Sequence, residues 1–266
     1  MPFTPAHGAA ILPFLRFGLV PSALLVGAFA PDYEYFIRLG PNGRYGHTFP
    51  GVFLLTLPLA LVVLWLFHSF VKAPAVRLLP EGIQRRLGGE ISEFRFGGPR
   101  RFTLIVCSIL LGIATHLLWD AFTHPNTRPY RHWPALRQSL PLPMLGPVLY
   151  YKLLQHGSTI AGLGILAAWI VLWYRRSEPS SRVVVATPKR MTVIIGGLAI
   201  AVAGGALRAG LVMGIPSTLW DARWFIIRFG ITVMALLWWQ LVAYGIFSSV
   251  HDESTTKPSR CLYRGD

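Results

Sequence analysis

Two histidines and an aspartate stand four residues apart in Thr115-His116-Leu117-Leu118-Trp119-Asp120-Ala121-Phe122-Thr123-His124-Pro125. On a helix, residues four apart lie one turn apart on one face. His116, Asp120 and His124 therefore form a single stripe, and Pro125 ends the helix just beyond them. The surrounding run is apolar. A charge at the centre of a membrane costs about 2.5–3.5 kcal/mol, which makes each such residue a functional candidate. Other polar residues fall at the ends of apolar runs: Asp32 and Glu34 in Ala30-Pro31-Asp32-Tyr33-Glu34-Tyr35-Phe36, His47 in Tyr45-Gly46-His47-Thr48, and Gln155, His156 and Ser158 ahead of a later run.

Two or three imidazoles with carboxylates are the usual ligand set for zinc and related divalent ions. Such an ion with open positions acts as a Lewis acid on a carbonyl or phosphoryl oxygen. Asp32, Asp120 and Glu34 are the carboxylates able to bridge two ions. Thr115, Thr123, Gln155, His156 and Ser158 are candidate donors behind the ligands, fixing imidazole tautomers. Each residue alone also has a plainer reading. His116 can make a helix–helix hydrogen bond, Asp120 can pair with Arg128 or Arg131, and Asp32 can cap a helix. His68, His132 and His251 read as structural or solvated. Asp221 reads as an ion-pair partner of Arg208, Arg223 or Arg228, or as part of a rim for a lipid phosphate. What favours a site is that several of these residues converge on one side of the membrane.

The elements that must position them are transmembrane helices. Of the 266 residues, 53% are apolar types and only 14% are charged, against roughly 25% charged in ordinary soluble domains. A soluble, disordered or fibrous chain is excluded. Five runs, 51–71, 103–122, 157–174, 191–213 and 224–247, each have the length of a full span. The run 11–30 is interrupted by Arg16, Gly18 and Pro21. It reads either as a hairpin, with 5–17 entering and 22–30 returning, or as one kinked sixth span. As an α-helix the entering arm would reach only about 20 Å, short of a crossing. The hairpin brings His7 to the polar cluster, whereas the full span strands it on the far side.

The net charge of +14 comes from 25 Lys+Arg against 11 Asp+Glu. The basic residues lie between apolar runs, where they orient helices, and so argue against nucleic acid as a partner. Loops 72–101 and 175–190 and the tail after 247 hold fifteen Lys+Arg, and the opposite side holds seven, which places the first group in the cytoplasm. Residues 75–87 carry an apolar stripe suited to the inner membrane surface. The glycines Gly196, Gly197, Gly204, Gly205, Gly210 and Gly214 suggest close helix packing. Cys107 and Cys261 imply no disulfide, no signal peptide is evident, and 251–266 reads as a disordered cytoplasmic tail.

The strings Met1-Pro2-Phe3-Thr4-Pro5-Ala6-His7, Ala30 to Phe36, Gly46-His47-Thr48, His116 to His124 and Leu154-Gln155-His156-Gly157-Ser158-Thr159 resemble a bacterial integral membrane protein family, domain of unknown function 4184. The order His, Pro-Asp, His, His-x-x-x-Asp is also similar to the LexA-regulated membrane-bound metal-dependent hydrolases, although Gly46-His47-Thr48 stands where those proteins carry a longer His-rich string. That second resemblance implies His7, Asp32, His47, His116 and Asp120 as ligands of one or two divalent ions, zinc foremost. Glu34 or His124 would then be the general base or an added ligand.

The expectation is an all-α polytopic bundle in the bacterial inner membrane, with five full spans plus an N-terminal helical hairpin or sixth span. Residues 1–250 form one membrane domain, with the polar site in 1–174 and two C-terminal helices in 191–247. The expected function is metal-dependent hydrolysis of a lipid or lipid-linked phosphoester or ester at the outer face, with membrane lipids as partners. The alternative is a non-enzymatic protein whose His/Asp cluster is structural or conducts an ion or proton.

Overall fold

The computed structural model describes residues 3–87, 94–143, 146–180 and 190–255. In chain order come a 3-10 helix at Thr4–Phe17, α1 at Pro21–Phe29, a 3-10 turn at Ala30–Asp32 and α2 at Tyr33–Arg38. A long helix α3 follows at Phe49–Leu78, then α4 at Glu81–Leu87, α5 at Pro99–Thr123 and α6 at Arg128–His132. Strands β1 at Ser139–Leu142 and β2 at Gly146–Leu149 precede α7 at Tyr150–Arg176, α8 at Arg190–Met213 and α9 at Leu219–Thr255. Among the described residues, helices α3, α5, α7, α8 and α9 are the five long and apolar enough to cross a membrane. Side chains such as Leu118, Ile160 and Leu211 stay exposed along them, as lipid-facing positions do.

The chain divides into two compact units, Met1–Trp65 with Phe94–Pro179, and Leu66–Glu93 with Ser180–Asp266. All the candidate site residues lie in the first.

In the first unit the N-terminal run folds back on itself. Gly18 takes φ +69°, a left-handed turn that glycine adopts without steric cost. The Thr4 hydroxyl then donates to Asp32 Oδ2 at 2.6 Å, tying the start of the 3-10 helix to the end of α1. This closure makes the run a hairpin and removes the sixth-span alternative. The entering arm is 3-10 rather than α, so its 14 residues reach roughly 28 Å instead of 20. Three residues per turn also stack Thr4 above His7 on one row, and both are buried.

The returning arm packs tightly on α5. A Cβ added at Gly27 would strike the Ile109 carbonyl, and one at Gly112 would strike the Leu24 carbonyl. Two facing glycines thus bring the α1 and α5 backbones into contact. Around this seam Ala23, Val26, Ile105, Ile109 and Ile113 form the buried core with Ala60 and Leu64 of α3. Between α6 and α7 the two strands pair antiparallel, Ser139 opposite Leu149. This ribbon is not evident in the sequence, because Pro141, Pro143 and Pro147 argue against strand.

In the second unit α8 packs on α9. Gly204 faces Leu236, and Gly205 faces Val233 and Phe229, whereas Gly196 and Gly210 have open space beside them. The expected helix over 75–87 is divided at Pro80, which has no N–H to continue it. Asp221 is a helix cap rather than an arginine partner. It accepts from the Ser217 and Thr218 hydroxyls at 3.0 and 2.8 Å, while Thr218 Oγ1 accepts from the Asp221 amide. Helix α9 continues through 251–255, where a disordered tail was expected. The rest of that tail, 256–266, lies outside the described residues.

Candidate metal centre

His116 and Asp120 project from the buried face of α5, one turn apart, and His116 is fully buried. The close α1–α5 seam puts the Ala28 carbonyl 2.7 Å from His116 Nδ1. A carbonyl can only accept, so Nδ1 carries the proton and Nε2 is left with its lone pair facing inward. His116 Nε2 lies 3.3 Å from Asp120 Oδ2, 3.7 Å from Asp32 Oδ1 and 3.3 Å from His47 Nε2. His47 Nε2 in turn lies 3.3 Å from Asp120 Oδ2 and 3.6 Å from Asp32 Oδ1. His47 Nε2 and His116 Nε2 thus each lie 3.3–3.7 Å from one oxygen of Asp32 and one of Asp120, with the four side chains drawn from three separate segments.

His7 enters from the 3-10 helix. Its ring stacks on that of His116, centroids 3.8 Å apart and 17° from parallel, and its Nε2 lies 3.5 Å from Asp120 Oδ1. Trp119 leans on the His7 ring at 5.4 Å, and its indole N–H donates to Ser158 Oγ at 3.0 Å. His124 borders the cluster, with Nδ1 3.4 Å from Asp120 Oδ1 and 3.2 Å from the Asp120 backbone carbonyl, to which it donates. All five residues implied as ligands, and His124, are thus brought together. Asp32 stands at the N-cap position of α2, but its carboxylate makes no capping bond and is fully buried within the cluster. Asp120 meets imidazoles rather than arginines.

Several of these atoms have no hydrogen-bond partner although they are buried: both ring nitrogens of His7, Asp32 Oδ1 and Asp120 Oδ1. Leaving such groups unsatisfied costs about 1–3 kcal/mol each. Two overlapping groups, His7 with His116 and Asp120, and Asp32 with His47 and His116, have the spacing to hold a metal ion. Burial pushes the Asp32 carboxyl up, opposed by His116, His47 and the Thr4 hydroxyl. A cation beside it would favour the ionised form.

Glu34 sits apart from the converging atoms. Its Oε2 accepts the amides of Arg44, Tyr45 and Gly46 at 3.0, 2.9 and 2.9 Å, and its Oε1 accepts from Arg38 Nε at 2.9 Å. Burial would raise this carboxyl, but these donors outweigh it and hold the group down at about 2. Glu34 therefore clips the loop that carries His47. Immediately after that loop, Thr48 caps α3 by accepting the Gly51 amide at 3.2 Å.

The expected supporting donors divide. Ser158 acts through Trp119. Thr123 Oγ1 donates to the Trp119 carbonyl and lies 3.3 Å from His124 Nδ1. Thr115 turns back to the Gly112 carbonyl at 2.7 Å, Gln155 is buried, and His156 is exposed. His132 is exposed and contacts the Arg128 carbonyl, the solvated role expected of it. Sequence reasoning missed Thr4, Ala28 and the Gly27–Gly112 seam. The available signal was glycine one turn before His116 and one residue before Ala28. A shallow open cleft lined by Arg128, Pro129, His132 and Trp133 lies at α6, which follows α5 directly.

No curated protein and no solved structure matches this chain. The family model described as Domain of unknown function (DUF4184) matches residues 1–246, a stretch that includes every residue of the cluster, and the chain belongs to that family.

Proposed function

We propose that the protein is a metal-dependent hydrolase of the bacterial cytoplasmic membrane, acting on a lipid or lipid-linked phosphoester or ester at the outer face. The observation that carries this reading is the frame made by His47 Nε2, His116 Nε2, Asp32 Oδ1 and Asp120 Oδ2. The five separations among them that involve an imidazole run from 3.3 to 3.7 Å. Zinc held tetrahedrally by nitrogen and oxygen at about 2.0–2.1 Å has neighbouring ligand atoms about 3.3 Å apart. The orphaned Asp32 Oδ1 and the inward lone pair of His116 fit the same ion.

When bound, a divalent cation supplies Lewis acidity toward a phosphoryl or carbonyl oxygen. The protein's own residues do the rest. Ala28 fixes the His116 tautomer, Thr4 fixes Asp32, and Glu34 fixes the loop of His47. Arg128, in the cleft at α6, offers charge to an anionic head group. The fifteen-to-seven distribution of Lys+Arg supports a reading with this end of the first unit outside and the C-terminus in the cytoplasm.

Elemental analysis of the purified full chain tests the reading, together with release of phosphate or fatty acid from mixed phospholipid vesicles. Wild-type protein should carry zinc or a similar ion and lose it on His116→Ala, with hydrolysis lost in parallel. Folded wild-type protein that takes up no metal under any supplementation would leave the cluster as helix packing or an ion path.

A further inference from the structure

We propose that the cluster holds two divalent cations bridged by the Asp120 carboxylate, the second bound by His7. The inference rests on the cation site just described and extends it. An imidazole donates its lone pair in the plane of the ring. The rings of His7 and His116 are stacked 3.8 Å apart and only 17° from parallel. Planes so nearly parallel do not meet within bonding distance of both nitrogens, so the two rings cannot serve one ion. They point instead at two positions displaced by about the ring separation. Paired metal ions in hydrolytic sites stand about 3.5–4 Å apart.

Asp120 fits the bridging role. Its Oδ2 faces the two imidazoles of the first position, His47 and His116, each at 3.3 Å. Its Oδ1 faces the other way, 3.5 Å from His7 Nε2 and 3.4 Å from His124 Nδ1, and has no hydrogen-bond partner. His116 cannot be shared, because Nδ1 is committed to the Ala28 carbonyl and Nε2 has one lone pair. His7 Nε2 and Asp120 Oδ1 are then the protein donors for the second ion, while His124 Nδ1, 3.2 Å from the Asp120 carbonyl, carries a proton and borders the position. His7 itself requires a partner of this kind, since neither buried ring nitrogen has another. The His124 side chain beside it is about one fifth exposed, which leaves the second position open to a substrate oxygen.

Manganese titration of metal-stripped full-length protein in detergent, read by electron paramagnetic resonance, tests this directly. Wild type should bind two equivalents, with the second converting an isolated-ion signal into an exchange-coupled one. His7→Gln should bind one equivalent with no coupling, and His7→Asn, a second variant that guards against a folding defect in the first, should behave alike. Saturation of wild type at one equivalent, unchanged in His7→Gln and His7→Asn, would overturn the second site and leave the first standing. Two equivalents without spin coupling would overturn the Asp120 bridge. Failure of wild type to bind any manganese or zinc would overturn the cation site itself.

Discussion

Glu34 Oε2 accepts the amide of Gly46 at 2.9 Å, one residue before His47. A carboxylate expected to take part in chemistry is thus engaged in shaping a loop, and three consecutive backbone amides converge on it. Replacement by Gln keeps the size but substitutes a donor for one acceptor oxygen. Substitution of groups that hold metal ligands in place commonly weakens metal binding by about 10–100-fold. Glu34→Gln should do the same in a zinc titration against a competing chelator. Wild-type affinity in the folded variant would show that the loop does not need its clip.

The Gly27–Gly112 seam makes a prediction about helix approach. Gly112→Ala forces the backbones of α1 and α5 apart and moves the Ala28 carbonyl away from His116. Overpacking of this kind costs about 1–3 kcal/mol, and bound metal should fall with it. Gly210→Ala in α8, which meets open space, is the control. There the better helix propensity of Ala should stabilise by about 0.5–1 kcal/mol. Thermal melts of both variants in detergent distinguish a specific seam from general intolerance of Ala.

The two aspartates at helix ends should separate cleanly. Asp120→Asn removes an anionic ligand and should abolish metal retention while the protein still inserts, because a neutral amide is easier to bury. Asp221→Asn, in a cap built with Ser217 and Thr218, should keep its metal and alter only the start of α9. Melts with and without chelator provide the readout. A wild-type melt indifferent to chelator, with Asp120→Asn equally stable, would favour a structural cluster.

The hairpin places both ends of the first polar stretch on one side. In a background with both cysteines replaced, Phe3→Cys and Asn42→Cys should react with an impermeant thiol reagent in intact cells. Arg100→Cys should react only after permeabilisation. Labelling at 42 without labelling at 3 would contradict the fold-back.

The stripe of His116, Asp120 and His124 was legible in the sequence because helical periodicity alone sets it. Five spans were legible for the same reason, since length and hydropathy decide them. The gathering of His7, Asp32 and His47 around that stripe was legible through the polar residues at the ends of the apolar runs, which converge on one side, and through the break at Gly18. The roles of Ala28 and Glu34 were not legible. They depend on backbone carbonyls and amides, which every residue possesses and no residue type announces. The 3-10 form of the first arm was hidden likewise, since its row of Thr4 and His7 has meaning only once Asp32 and His116 lie beside it.

On α5, Gly112, His116 and Asp120 recur every fourth residue, so one helix face both sets the packing against α1 and supplies the chemistry. This makes the stretch between Gly112 and Asp120 intolerant of length changes, whatever residues are inserted. One extra residue after Gly112 turns everything beyond it by about 100°. The seam would then stay in register while His116 and Asp120 swung toward lipid. The same insertion in the loop between α6 and β1 would rotate nothing that the site uses.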